Sequence, residues 1–106
     1  MRYYIIAGEA SGDLHGSNLI KELKQQDTGA EIRCWGGDKM KAAGGDVVKH
    51  INELAFMGFF EVVKHLPTIL NNISFCKKDI LEFKPDVVIL IDYPGFNFRL
   101  FEFLKQ

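Results

Sequence analysis

Apolar residues follow two rhythms along this chain. Tyr3 to Ala7 is an unbroken, β-rich run, whereas from Asp13 to Gln26 the residues Leu14, Leu19, Ile20 and Leu23 recur on about one helical face. The stretch "EIRCW", Glu31 to Trp35, alternates polar and apolar as a half-buried strand does, and Lys39 to Ala43 has room for one short helix between two "GGD" turns. Val47 and Val48 predict a short third strand. Pro67 is placed to open a helix in which Ile69, Leu70, Ile73, Cys76, Ile80 and Leu81 follow at three-to-four spacing, ending near Lys84-Pro85. "DVVILID", residues 86 to 92, is the clearest strand in the chain.

Strands alternating with helices predict an α/β, Rossmann-like fold: a parallel sheet with helices on both faces. With the usual strand order 3-2-1-4, the strand around Val87 to Ile91 lies beside that of Tyr3 to Ala7. Its "VVILI" is apolar at every position, as in strands buried on both faces, yet that order leaves it at an edge, where a flat apolar strand invites aggregation. The phenylalanine-rich, helix-like "GFNFRLFEFLKQ" comes next. Together these favour a domain that continues past the sequence given over a small complete one.

Length and composition narrow the classes. The 106 residues fit one domain, and 47% hydrophobic with 25% charged residues is ordinary for a globular protein. Thirteen Lys+Arg against fourteen Asp+Glu leave a net charge of −1, without the basic surplus of a nucleic-acid binder. Cys34 and Cys76 have neither metal-ligand nor CxxC spacing, and read as reduced thiols of a cytosolic protein. No signal peptide is legible, and no stretch reaches the ~20 apolar residues of a membrane span, so the expectation is a soluble or surface-bound protein.

Chemistry concentrates in two stretches. "AGEASGDLHG", residues 7 to 16, turns from the first strand into the first helix, but lacks both G-x-x-x-x-G-K-[ST] and G-x-G-x-x-G. Glu9 and Asp13 flank the helix start, where they suit its positive end and repel a phosphate, so this turn reads as a site for hydroxyls. Gly8 and Gly12 allow a sharp turn and close approach to a ligand. Ser11 can cap the helix, and a capped helix with matched acids accounts for Ser11 and Asp13 without any ligand, which leaves Glu9 as the stronger functional residue. Asp92 follows the last strand at its carboxyl end, where open parallel sheets bind ligands. It can act as a general base toward a hydroxyl or simply cap a turn, and both readings stand; "YPGFN" can bring Asn97 to the same crevice. His15, His50 and His65 do not cluster as ligands, and neither a metal nor a cofactor is expected. Phe56, Met57, Phe59 and Phe60, with Lys49, His50, Lys64 and His65 nearby, form either core or an exposed, lipid-facing patch.

"AGEASGD" with its helix, "MGFFEVV" and "KPDVVILIDYPGFN" occur in the order and at the separations found in one family. Through essentially all its length the sequence resembles the N-terminal part of the lipid-A-disaccharide synthases, inverting glycosyltransferases with two Rossmann-like domains (GT-B). The resemblance implies that residues 1–106 form the acceptor-side domain, with the UDP-sugar domain absent. It implies substrates UDP-2,3-diacylglucosamine and 2,3-diacylglucosamine 1-phosphate, joined with release of UDP at the cytoplasmic face of the Gram-negative inner membrane. It places the family's essential aspartate on Asp92. Gly8, Glu9, Ser11, Gly12 and Asp13 fall in its glycine-rich substrate loop, and Asn97 closes its second motif. It also gives the cluster of Phe56, Met57, Phe59 and Phe60 a use in meeting acyl chains. A free-standing Rossmann-like module for a small hydroxylated ligand, and a nucleotide-binding domain of another enzyme, are the competing readings.

Overall fold

The computed structural model describes residues 1–53 and 66–91. Its elements are β1 (Arg2–Ala7), α1 (Ala10–Gln26), β2 (Glu31–Gly36), α2 (Asp38–Ala42), β3 (Asp46–His50) with a 3₁₀ turn at Ile51–Glu53, α3 (Leu66–Phe83) and β4 (Val87–Ile91). The four strands are parallel and ordered β3-β2-β1-β4, so the expected Rossmann-like α/β arrangement is present. Tyr3 faces Val87 and Ala7 faces Ile91 across the β1–β4 pair. Asp86 pins that register at its start, accepting the Arg2 N–H at 2.7 Å and donating its own N–H to the Arg2 carbonyl at 2.8 Å.

Alternation along β1 divides the core in two, because successive side chains of a strand point to opposite faces. Tyr4 and Ile6 join Trp35, Ile73, Cys76 and Ile80 beneath α3. Tyr3, Ile5 and Ala7 join Ile20, Ile32, Cys34 and Met40 on the face of α1 and α2. Helices therefore cover both faces, and the two buried, free cysteines lie one on each side of the sheet.

Several expectations shift at residue level. Helix α1 begins at Ala10, not Asp13, because the Asp13 N–H already donates to the Glu9 carbonyl at 2.9 Å. Its buried face is Gly12, Asp13, Gly16, Ser17 and Ile20, while Leu14 is exposed. Small residues face inward because the helix packs too closely for larger ones: a methyl group on Gly16 would sit 2.7 Å from Met40 Sδ. In α3 the residues Ile73, Cys76 and Ile80 are buried, but Leu70 and Leu81 are exposed, so the apolar spacing marked a stripe wider than the sheet covers. The third strand runs the full length Asp46–His50, with a register shift opposite Cys34 and Trp35. Every residue of β4 is only half-buried, in place of burial on both faces, and among the described residues β1 is the one strand paired with it. Helix α3 ends on Lys84, which adopts a left-handed φ of 54° as its N–H reaches the Ile80 carbonyl, and Pro85 prevents continuation.

Candidate functional site

The carboxyl ends of the parallel strands gather the turns that leave β1, β2 and β3. Gly8 and Glu9 leave β1, and Glu9 is the N-cap of α1 in extended conformation (φ −136°, ψ 163°), making no capping bond with its side chain. Ser11 is therefore inside the first turn and is not the cap that its residue type suggested; Glu9 and Ser11 are both exposed. Gly12 explains how this turn comes so near the sheet. A methyl group there would lie 3.0 Å from Ala7 Cβ and 3.5 Å from Ile91 Cγ2, so α1 starts directly over the ends of β1 and β4.

Asp13 points the other way. It is buried, with 5% exposure, and both its oxygens meet backbone donors: Oδ1 accepts the N–H of Gly37 at 2.8 Å and of Met40 at 3.0 Å, and Oδ2 accepts the N–H of Lys39 at 3.2 Å. Gly37 is the N-cap of α2 and has no side chain with which to serve the helix's first donors. A methyl group on it would meet Asp13 Oδ2 at 2.6 Å. At the end of β3, His50 Nδ1 accepts the Asn52 N–H at 3.1 Å, which leaves Nε2 to donate to Asp38 Oδ1 at 3.0 Å. His15 is exposed. Among the described residues no group of three or more His, Cys, Asp or Glu could hold a metal ion.

Sequence reasoning placed Gly8, Glu9, Ser11, Gly12 and Asp13 in one turn, and the structure keeps them at one sheet edge. Asp92, Asn97, Phe56, Met57, Phe59 and Phe60 lie outside the described residues. It missed a second polar cluster, on the α3 side. Arg33 donates from Nε and a terminal nitrogen to the two oxygens of Asp79, each at 2.7 Å, Tyr4 donates to Asp79 at 2.7 Å, and Trp35 Nε1 donates to the Tyr4 oxygen at 2.9 Å. Burial, then the neighbouring Cys76 and Asp79, push the Tyr4 hydroxyl well above its ordinary range. The hydrogen bonds to Asp79 raise the Arg33 guanidinium further. An open cleft of about 190 Å³ beside it is lined by Arg2, Arg33, Asp79, Glu82 and Phe83, with Arg2 4.3 Å over the Phe83 ring. The one visible signal was Asp79 itself, an acid one residue before Ile80 within the apolar spacing of α3.

Relatives identify the chain. A family model described as Lipid-A-disaccharide synthetase matches residues 3–106. The lipid-A-disaccharide synthase of Xanthomonas oryzae pv. oryzae is 45% identical over 105 residues, which are 99% of this chain and 24% of the relative. Those of Geobacter metallireducens and Trichlorobacter lovleyi are 43% and 40% identical, again over 99% of this chain and 27% of each relative. The chain thus spans about a quarter of the length of the curated relatives it matches. With 45% identity and a family match from residue 3 to residue 106, the chain belongs to the lipid-A-disaccharide synthetase family.

Proposed function

We propose that this chain is the acceptor-side, N-terminal Rossmann-like part of a GT-B lipid-A-disaccharide synthase. In the whole enzyme, a hydroxyl oxygen of 2,3-diacylglucosamine 1-phosphate attacks the anomeric carbon of UDP-2,3-diacylglucosamine. The bond from that carbon to UDP breaks, UDP leaves with the electron pair, and the β-1,6-linked disaccharide forms with inversion. Asp92 takes the hydroxyl proton, the general-base role. Gly8 and Gly12 let the first turn approach the sugar, and Glu9, Ser11 and Asn97 bond its hydroxyls. The observation that carries the reading is the family match over residues 3–106. The parallel pairing of Ala7 with Ile91 supports it, since Gly8-Glu9 and Asp92 are the next residues along each strand. The UDP-sugar domain belongs to the remaining three-quarters of the enzyme.

Phe56, Met57, Phe59 and Phe60, flanked by Lys49 and Lys64, are proposed to meet acyl chains at the cytoplasmic surface of the inner membrane. Among the described residues no helix is long and apolar enough to cross a membrane. The test of the catalytic assignment is Asp92→Asn in the full-length enzyme. The amide keeps the shape but cannot take the proton, so turnover should fall about 100- to 10,000-fold with the fold intact; near-normal turnover would make Asp92 a turn residue. Liposome binding of Met57→Ser/Phe60→Ser tests the lipid contact, which unchanged binding would remove.

A further inference from the structure

We propose that Asp13 is a positioning residue of the transfer site: it locks the turn after β2 to the glycine-rich turn after β1 and does not itself touch the sugar, a role that rests on the acceptor-side assignment of this edge. Burial separates it from its neighbours, since Glu9, Ala10 and Ser11 are exposed while Asp13 is not. Its acceptor capacity is directed inward, to the N–H groups of Gly37, Lys39 and Met40. These are N-terminal donors that an α-helix cannot pair within itself, and the cap residue, a glycine, offers them nothing. Asp13 does for α2, from 24 residues away, what a serine or aspartate at position 37 would do locally.

The main chain of Asp13 completes the lock. Its N–H holds the Glu9 carbonyl, so one residue is tied at its backbone to the exposed acid and at its carboxylate to α2. Gly37 leaves the space the carboxylate occupies, and Gly12 seats the same turn on Ala7 and Ile91. From α2 the Asp38–His50–Asn52 contacts continue to the end of β3. The three turns at the carboxyl edge thus share one set of fixed contacts, and Glu9 is held at a defined place relative to the end of β4.

Turnover and amide exchange in the full-length enzyme test this together. Asp13→Ala and Gly37→Ala should each lower kcat/KM on the order of 10- to 100-fold, the scale of a small displacement of a reacting partner. The double variant should fall no further than the worse single one, because both changes act on one contact. Exchange at Lys39 and Met40 should quicken about 10- to 100-fold in Asp13→Ala, as loss of bonds to a charged acceptor predicts, with the β1 amides unchanged. Asp13→Asn can keep Oδ1 for Gly37 and Met40, so it should restore most of the turnover and quicken exchange at Lys39 alone; it also serves if the alanine variant does not fold. Multiplying losses in the double variant, lost turnover with unchanged exchange, or quicker exchange with full turnover would each overturn the proposal. If the unaltered enzyme does not transfer sugar between these lipids, the acceptor-side assignment fails instead; unchanged exchange at Lys39 and Met40 in Asp13→Ala would then still show that Asp13 does not hold the turn.

Discussion

Tyr4, Asp79 and Arg33 show how much one buried residue can be asked to do. The Tyr4 hydroxyl donates to Asp79 and accepts from Trp35, so Tyr4→Phe removes one bond to a charged group and one from the indole N–H. The expected cost is about 1–3 kcal/mol of stability, read from a denaturation curve. The thiols of Cys34 and Cys76 are both pushed up to about 12 from an ordinary 9.0, chiefly by burial. Above pH 9 the unfolded chain releases these protons while the folded one keeps them, so stability is full below pH 9 and declines from there to about pH 12. The slope is about 1.4 kcal/mol per pH unit for each thiol. Replacing both cysteines by alanine should flatten that alkaline decline in a denaturant midpoint series, whatever it does to stability at neutral pH; an unaltered slope would show that other groups govern it.

Among the elements, α1 and α3 use opposite means of packing. Helix α1 approaches through glycines, and a valine at Gly12 would drive its branches into Ala7 and Ile91, at a cost of about 1–3 kcal/mol. Helix α3 packs through larger side chains on a narrow stripe. Ile80→Ala should therefore cost about 2–5 kcal/mol, whereas Leu81→Gln, one residue on but 63% exposed, should stay within about 0.5 kcal/mol. Urea midpoints of the two variants check the contrast. The spacing of Ile73, Cys76 and Ile80 was readable as a helical face because periodicity reports direction. It does not report depth, so Leu14, Leu70 and Leu81 were assigned to faces that the sheet does not reach. The start of α1 was misplaced for a related reason: glycine and serine have weak helix preference, and packing against Ala7 overrides it.

For the molecule as a whole, the order β3-β2-β1-β4 was legible because right-handed crossovers leave few ways to connect alternating strands and helices. The glycine-rich turn was legible as a place, since it follows β1 directly. The roles within it were not, because Asp13 finds Gly37 24 residues away and Arg33 finds Asp79 46 away, and no local pattern reports such partners. The proposed division of labour between two domains predicts that residues 1–106 alone do not transfer sugar. Inverting transfer requires the donor held against the attacking hydroxyl, and among the described residues the two helix starts beside the glycine-rich turn, those of α1 and α2, carry the acids Asp13 and Asp38, unsuited to a diphosphate. Calorimetric titration with UDP should show no micromolar binding, and an assay with both lipid substrates no disaccharide; either signal would relocate the donor site to this chain.

The placement of one cysteine on each side of the sheet gives the protein a built-in pair of reporters. Among the described residues Cys34 packs with Ile20 of α1 and Met40 of α2, and Cys76 lies on α3, so a small thiol-trapping reagent reads the opening of a different layer at each position. Matching labelling rates at the two positions in mild denaturant would mean that both layers detach in one event. Unequal rates would rank the two layers by how readily each detaches from the sheet.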